Sequence, residues 1–175
     1  MQSDSLLKSF SFDIYNAGDH AGGSLGPIPY TANVYEWNST TRTLVGPALY
    51  ISPISLVPFT GGYQVVTSSL NVVLEGGLQY VAFLTPSGAS TPNAYFAAIF
   101  NSTDTMMADV YSGGGFVDIN VANPSLLTSA SWNQTPGDLW FQADLVTAAV
   151  PEPSSVMLLV TGLLAIGVTL KKGLA

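Results

Sequence analysis

Alternation with a period of two is the feature that most narrows what this chain can fold into. Phe10, Phe12 and Ile14 alternate with Ser11, Asp13 and Tyr15, and such spacing puts the apolar set on one face of an extended strand. Residues 30–37 read as the next strand. Asn38-Ser39-Thr40-Thr41 is a turn, and residues 43–50 return as the second arm of a hairpin. Along residues 63–74, Val65, Leu70, Val72 and Leu74 can share a face over most of the length. Glu75-Gly76-Gly77 then turns the chain, and residues 78–85 are expected to pair back. Shorter candidates lie at 95–100, 107–111 and 116–121. A last strand spans 138–146, with Leu139, Phe141 and Leu145 opposite Trp140, Gln142 and Asp144. Residues 16–29 are a loop, because Gly18, Gly22, Gly23, Gly26, Pro27 and Pro29 interrupt any ladder. Pro53 and Pro58 mark another. Helix signals are nearly absent before residue 154. The expectation is an all-β domain over residues 1–146, an antiparallel two-sheet β-sandwich of jelly-roll-like kind.

The character changes after this domain. Residues 147–153 read as a linker that begins with Thr147-Ala148-Ala149. Pro151 and Pro153 lack a backbone N–H and bias their neighbours to extended conformation. Ser154 or Ser155 can cap a helix. Residues 156–170 are apolar apart from Thr161, Gly162, Gly167 and Thr169, as suits a helix in lipid. At about 1.5 Å per residue this run spans ~22 Å, short of the ~30 Å hydrocarbon core. The serines and the snorkelling Lys171 and Lys172 narrow the gap. The basic end stays cytoplasmic, which places residues 1–153 outside. A single C-terminal hydrophobic helix with its basic end is therefore expected over 154–175; on physics alone a buried core helix is the alternative, although such a helix usually shows a polar face and this one shows none. Export also calls for an N-terminal signal. Residues 1–12 have neither a charged n-region nor a long apolar h-region, and 6–15 read as strand, so the true start is expected upstream.

Composition narrows the function. Charged residues make up 9% of the chain and hydrophobic residues 47%, against about 25% charged in an ordinary soluble domain. Such a surface of hydroxyls and amides suits a secreted β-protein. The net charge is −7, and Lys8, Arg42, Lys171 and Lys172 are the entire basic supply. Nucleic-acid binding, which replaces phosphate counterions with Lys and Arg, is excluded. The chain has no cysteine, hence no disulfide, no thiolate metal site and no Cys nucleophile.

Few residues suggest chemistry. His20 is the single histidine and cannot build a common zinc site or a triad. Glu36, Glu75, Asp109, Asp118 and Asp138 are the carboxylates a glycoside-active enzyme could pair, but no spacing favours any two of them. Asp104, Asp109 and Asp118, with Asn120, are hard oxygen donors in Gly-rich surroundings. They are candidates for one structural Ca2+, although they match no EF-hand loop. No other cofactor is expected. Trp37, Trp132 and Trp140 are candidates for stacking on sugar rings, with Tyr35, Tyr80 and Tyr111 as further rings.

The tail closely resembles the PEP-CTERM sorting domain of Gram-negative bacteria. The residues that carry the likeness are Pro151-Glu152-Pro153, the apolar run 156–170 and Lys171-Lys172. The order and spacing are specific, and they cover about the last 25 residues of the chain. Three departures are a two-lysine cluster where an Arg-rich group is more usual, the trailing Gly173-Leu174-Ala175, and no signal peptide. The resemblance implies processing by an exosortase that recognises Pro151, Glu152 and Pro153. It implies an inner-membrane-anchored precursor oriented by Lys171 and Lys172, and a final place at the cell surface or in an extracellular polysaccharide matrix. The upstream domain is more distantly similar to β-sandwich domains that precede this signal, on Tyr35-Glu36-Trp37, residues 77–84, Asp109-Val110-Tyr111-Ser112-Gly113-Gly114 and Asp138-Leu139-Trp140-Phe141. The leading expectation is a non-catalytic structural or interaction protein. A carbohydrate-binding module for exopolysaccharide is the alternative, and a glycoside-active enzyme the third reading.

Overall fold

The computed structural model describes residues 3–16, 27–58, 62–86, 96–98, 115–120, 124–135 and 139–148. All the strands paired there run antiparallel. The strands are β1 (Ser5–Asn16), β2 (Ile28–Asn38), β3 (Thr43–Ile51), β4 (Ser55–Val57), β5 (Tyr63–Leu74), β6 (Tyr80–Pro86), β7 (Phe96–Ala98), β8 (Phe116–Asp118), β9 (Asn133–Thr135) and β10 (Phe141–Thr147), with a 3-10 turn at Pro124–Leu126. The expected hydrophobic helix at 154–175 lies outside the described residues.

Two four-stranded sheets share one plan. In the first, β1 is central. It pairs with β5 along one side, and with β10 and then β7 along the other. In the second, β2 is central. It pairs with β6 on one side, and with β4 and then β3 on the other. The handover between β4 and β3 leaves the backbone of Ala32 to be satisfied locally. Ser52 does this twice: its N–H donates to the Ala32 carbonyl at 2.9 Å, and its hydroxyl accepts from the Ala32 N–H at 2.9 Å.

Alternation decides which side chains meet between the sheets. Phe10 and Ile14 of β1, Tyr30, Ala32 and Val34 of β2, Val57 of β4, and Leu70 and Val72 of β5 form one buried cluster. Phe12 packs against it, as the period of two predicted. Leu7 joins the same face from an odd position because the register shifts between Leu7 and Ser9 on both sides of β1. Such a bulge inverts the facing of the residues beyond it. Burial pushes the Tyr30 phenol above its usual pKa, with a hydrogen bond to Ser55 opposing the shift.

The second sheet is covered on its other face too. Tyr35 and Trp37 of β2, Leu44 of β3, and Val81 and Phe83 of β6 point away from the first sheet and pack with Val117, Ile119, Leu127 and Trp132. The β8–β9 pair and the 3-10 turn therefore form a small third layer, where two sheets alone were expected. Trp132 is its anchor at 3% exposure. Phe83 meets its ring edge-on at 4.8 Å and Trp37 at 5.9 Å. Its Nε1–H donates to the Leu127 carbonyl at 3.1 Å. The layer docks on the β2–β3 turn, where the Trp132 N–H donates to the Arg42 carbonyl at 2.8 Å. Arg42 sits there at φ 54, a left-handed conformation uncommon for a residue with a side chain. In the same turn the Asn38 side chain accepts from the N–H groups of Thr40 and Thr41, the self-bonding expected of a turn asparagine.

Further expectations are corrected. Val65, expected on the face of Leu70, Val72 and Leu74, is exposed on the opposite face of β5. β5 and β6 do not pair back. β5 lies in the first sheet and β6 in the second, so the Glu75-Gly76-Gly77 turn carries the chain across the core. Gly77, at φ 88, supplies the positive dihedral for which glycine has no steric penalty. The inward residues of both strands, Leu70 and Val72 against Ala82 and Leu84, reach the core from opposite sides. Thr147, expected in the linker, is the last residue of β10.

Truncating Trp132 removes the ring that joins the third layer to the second sheet. Trp132→Ala is expected to cost about 3–5 kcal/mol, as for other buried aromatic deletions. Equilibrium denaturant unfolding of the variant beside the parent chain measures it.

Candidate functional site

The C-terminal end of β10 is where the folded domain meets the tail. β10 pairs with β1 from Phe12 opposite Phe141 to Ser5 opposite Thr147. One further backbone bond follows, from the Ala148 N–H to the Asp4 carbonyl at 3.1 Å. The same Asp4 anchors the neighbouring turn, since its carboxylate accepts from the Gly76 N–H at 2.9 Å. The ladder thus holds the chain up to Ala148, and the proline-punctuated segment begins just beyond.

Residues 149–172 match the family model of the PEP-CTERM protein-sorting motif. The chain ends its described β-domain on a sorting signal. That motif supports an exported protein that is targeted to an exosortase and passes through the membrane as a precursor. No curated protein and no solved structure matches the chain. The matched segment contains Pro151, Glu152, Pro153, Lys171 and Lys172, all outside the described residues. Among the described residues no helix is long and apolar enough to cross a membrane.

The other candidates scatter. Trp132 has no free face for a sugar, because Phe83, Trp37 and the Leu127 carbonyl enclose it. Its alternation gave no warning, since the burial comes from a third layer. Trp37 is half-buried against it. Trp140 is half-buried just before β10, and its carbonyl accepts from the Asp13 N–H at 3.4 Å. Trp37 therefore lies in the second sheet, and Trp140 lies beside the first, ahead of β10.

Of the calcium candidates, Asp104 and Asp109 lie outside the described residues, as do His20 and Asp138. Asp118 is in β8, where the Asn133 side-chain amide approaches it at 3.4 Å. No group of three His, Cys, Asp or Glu suited to a metal ion occurs among the described residues.

One acidic gathering was not expected from spacing. The Tyr80 hydroxyl accepts from the Glu75 N–H at 2.7 Å and donates to the Glu75 carbonyl at 3.2 Å. Burial raises its pKa, the Glu75 backbone bond opposes the rise, and the charges of Glu75, Glu36 and Asp4 add to it. Two of the proposed hydrolase carboxylates, Glu36 and Glu75, thus act on one phenol. The Tyr80 bonds pin the turn that carries the chain from the first sheet to the second.

The sorting motif yields a direct test. Replacing Pro151, Glu152 and Pro153 together by Ala is expected to leave unprocessed precursor in the membrane fraction of a host with its own exosortase. Immunoblotting of fractionated cells reads the result, and release at the parent level would remove the motif from the recognition step.

Proposed function

We propose that this is a non-catalytic structural or interaction protein whose β-domain is carried to the cell surface or the extracellular polysaccharide matrix. An exosortase acts on its tail during that journey. The observation that carries the reading is the junction at Ala148. The last backbone bond of the β1–β10 ladder and the first residue of the sorting motif are adjacent in sequence. Cleavage at Pro151-Glu152-Pro153 would spare every described strand of the domain, so processing delivers it folded.

Chemistry favours a passive domain. Among the described rings, Trp132 works as a packing anchor with Tyr35 and Trp37 packed in the same cluster, and Trp140 lies apart, just before β10. The apolar run at 156–170 would hold the precursor in the inner membrane, and Lys171 and Lys172 would set its orientation by the positive-inside bias. Extracellular polysaccharide is the surrounding in which the domain is proposed to act.

The experiment is to express the gene in an exosortase-bearing host, fractionate the cells and take the intact mass of the product. The expected product ends near residues 151–153 and lies outside the inner membrane. A chain that keeps Lys171-Lys172 and stays soluble in the cytoplasm would overturn the proposal.

A further inference from the structure

β10 is held in the first sheet by its backbone ladder and by little burial. Among the described strands longer than three residues, it alone is exposed at every position. Leu145 and Val146 keep 52% and 42% of their surface exposed while paired with β1. Elements with few buried apolar contacts and solvent-facing backbone bonds lie at the low-stability end of a fold, where local opening is easiest.

The irregularity in β1 divides that ladder. Ser5, Leu6 and Leu7 face Thr147, Val146 and Leu145; the register then shifts, and Ser9 faces Asp144. A bulge disrupts the ladder where it occurs, so the three pairs nearest the tail can open without the rest. Asp4 closes this short unit. Its carbonyl accepts from the Ala148 N–H at 3.1 Å. Its carboxylate accepts from the Gly76 N–H at 2.9 Å, which fastens Asp4 to the turn that leaves β5. Tyr80 pins the same turn through the backbone of Glu75. The last rung of β10 is thus held by an anchored residue.

Very little chain separates that rung from the sorting motif. Ala149 and Val150 alone stand between Ala148 and Pro151, at most about 11 Å of extended backbone. An enzyme that cuts a peptide bond must admit backbone on both sides of it, and a segment locked in structure is cut from its opened state. We infer that the last three pairs of the β1–β10 ladder are a release latch for the sorting signal, with Asp4 as its positioning residue. The inference rests on the reading of residues 149–172 as an exosortase substrate. Opening as far as the bulge frees residues 145–148 and lengthens the approach from Asp144 to Pro151 to at most about 25 Å. Few apolar contacts are lost, because Leu145 and Val146 already face water. The pairs from Ser9–Asp144 to Phe12–Phe141 keep the domain closed. Maturation proceeds from the opened latch, at a rate that follows its population.

The absence of native cysteine allows the latch to be locked covalently. Facing residues in an antiparallel pair have Cα atoms about 4.5–5.5 Å apart, within the roughly 4.4–6.8 Å that a disulfide spans. The full gene product is pulse-labelled in an exosortase-bearing host, and conversion of precursor to mature form is followed on gels. The bridge between Ser5→Cys and Thr147→Cys should arrest conversion, and dithiothreitol should restore it. The bridge between Ser11→Cys and Gln142→Cys, which lies beyond the bulge, should leave the parent rate. Asp4→Ala should shorten the half-time roughly fivefold, the factor that one lost hydrogen bond sets on an opening equilibrium. Asp4→Asn, which keeps an acceptor for the Gly76 N–H, should return it to the parent value. A Gly-Ser-Gly-Ser insertion between Ala148 and Ala149 should cancel the effect of Asp4→Ala. Parent-rate maturation with the first bridge closed, equal arrest by both bridges, or an Asp4→Ala half-time no shorter than the parent's would each overturn the inference and leave the sorting reading intact. A parent chain that never matures would overturn both.

Discussion

The backbone ladder on both sides of β1 is the constraint on which the rest of the structure depends. β1 is the first strand in the chain, yet its partners are β5 on one side and β7 and β10 on the other. Its hydrogen-bonding groups can be satisfied only when strands from the middle and the end of the domain have arrived. Every such contact is long in sequence, the condition under which loop-closure entropy must be met before pairing rewards it. The pairing of Ser5 with Thr147 closes nearly the whole domain into one unit. It also explains why the tail departs where it does: the ladder ends beside Asp4, and the next residue begins the sorting motif.

The second sheet shows a different economy. Its two faces are both covered, by the first sheet through Tyr30, Ala32 and Val34, and by the small third layer through Tyr35, Trp37 and Phe83. A chain with 9% charged residues has few groups for a solvated sheet face, and a third layer removes apolar area that would otherwise face water. Trp132 makes this possible because its large ring fills the gap while its N–H finds a carbonyl. The same use of the ring withdraws it from recognition. Buried polar groups are handled with equal care: the Asn33 amide, within the second sheet, donates to Thr31 and Thr85, and no described buried side-chain polar atom is left without a partner.

Much of the local structure was legible in the residues. Phe10, Phe12 and Ile14 announced β1 and its inward face, because alternation is a property of neighbouring positions. The β2–β3 hairpin was legible from Asn38 and the threonines that follow, since an Asx turn is closed by its own side chain. The β5–β6 connection was not legible. Glu75-Gly76-Gly77 turns a chain equally well within a sheet or between sheets, and alternating strands look alike in both cases. The enclosure of Trp132 was not legible for a related reason: an aromatic residue outside a strong periodic run carries no local mark of being covered.

The sequence by itself determined that the chain is a string of strands ending in a linear sorting signal. Strand periodicity is decided over a few residues, and an exosortase-type motif is recognised as order and spacing along the chain. Tertiary structure alone decided which strands became central and which became edges, that β5 and β6 belong to different sheets, and that Trp132 is enclosed. Those outcomes depend on which apolar faces find each other across long loops, and side-chain alternation specifies a face without naming the face it will meet.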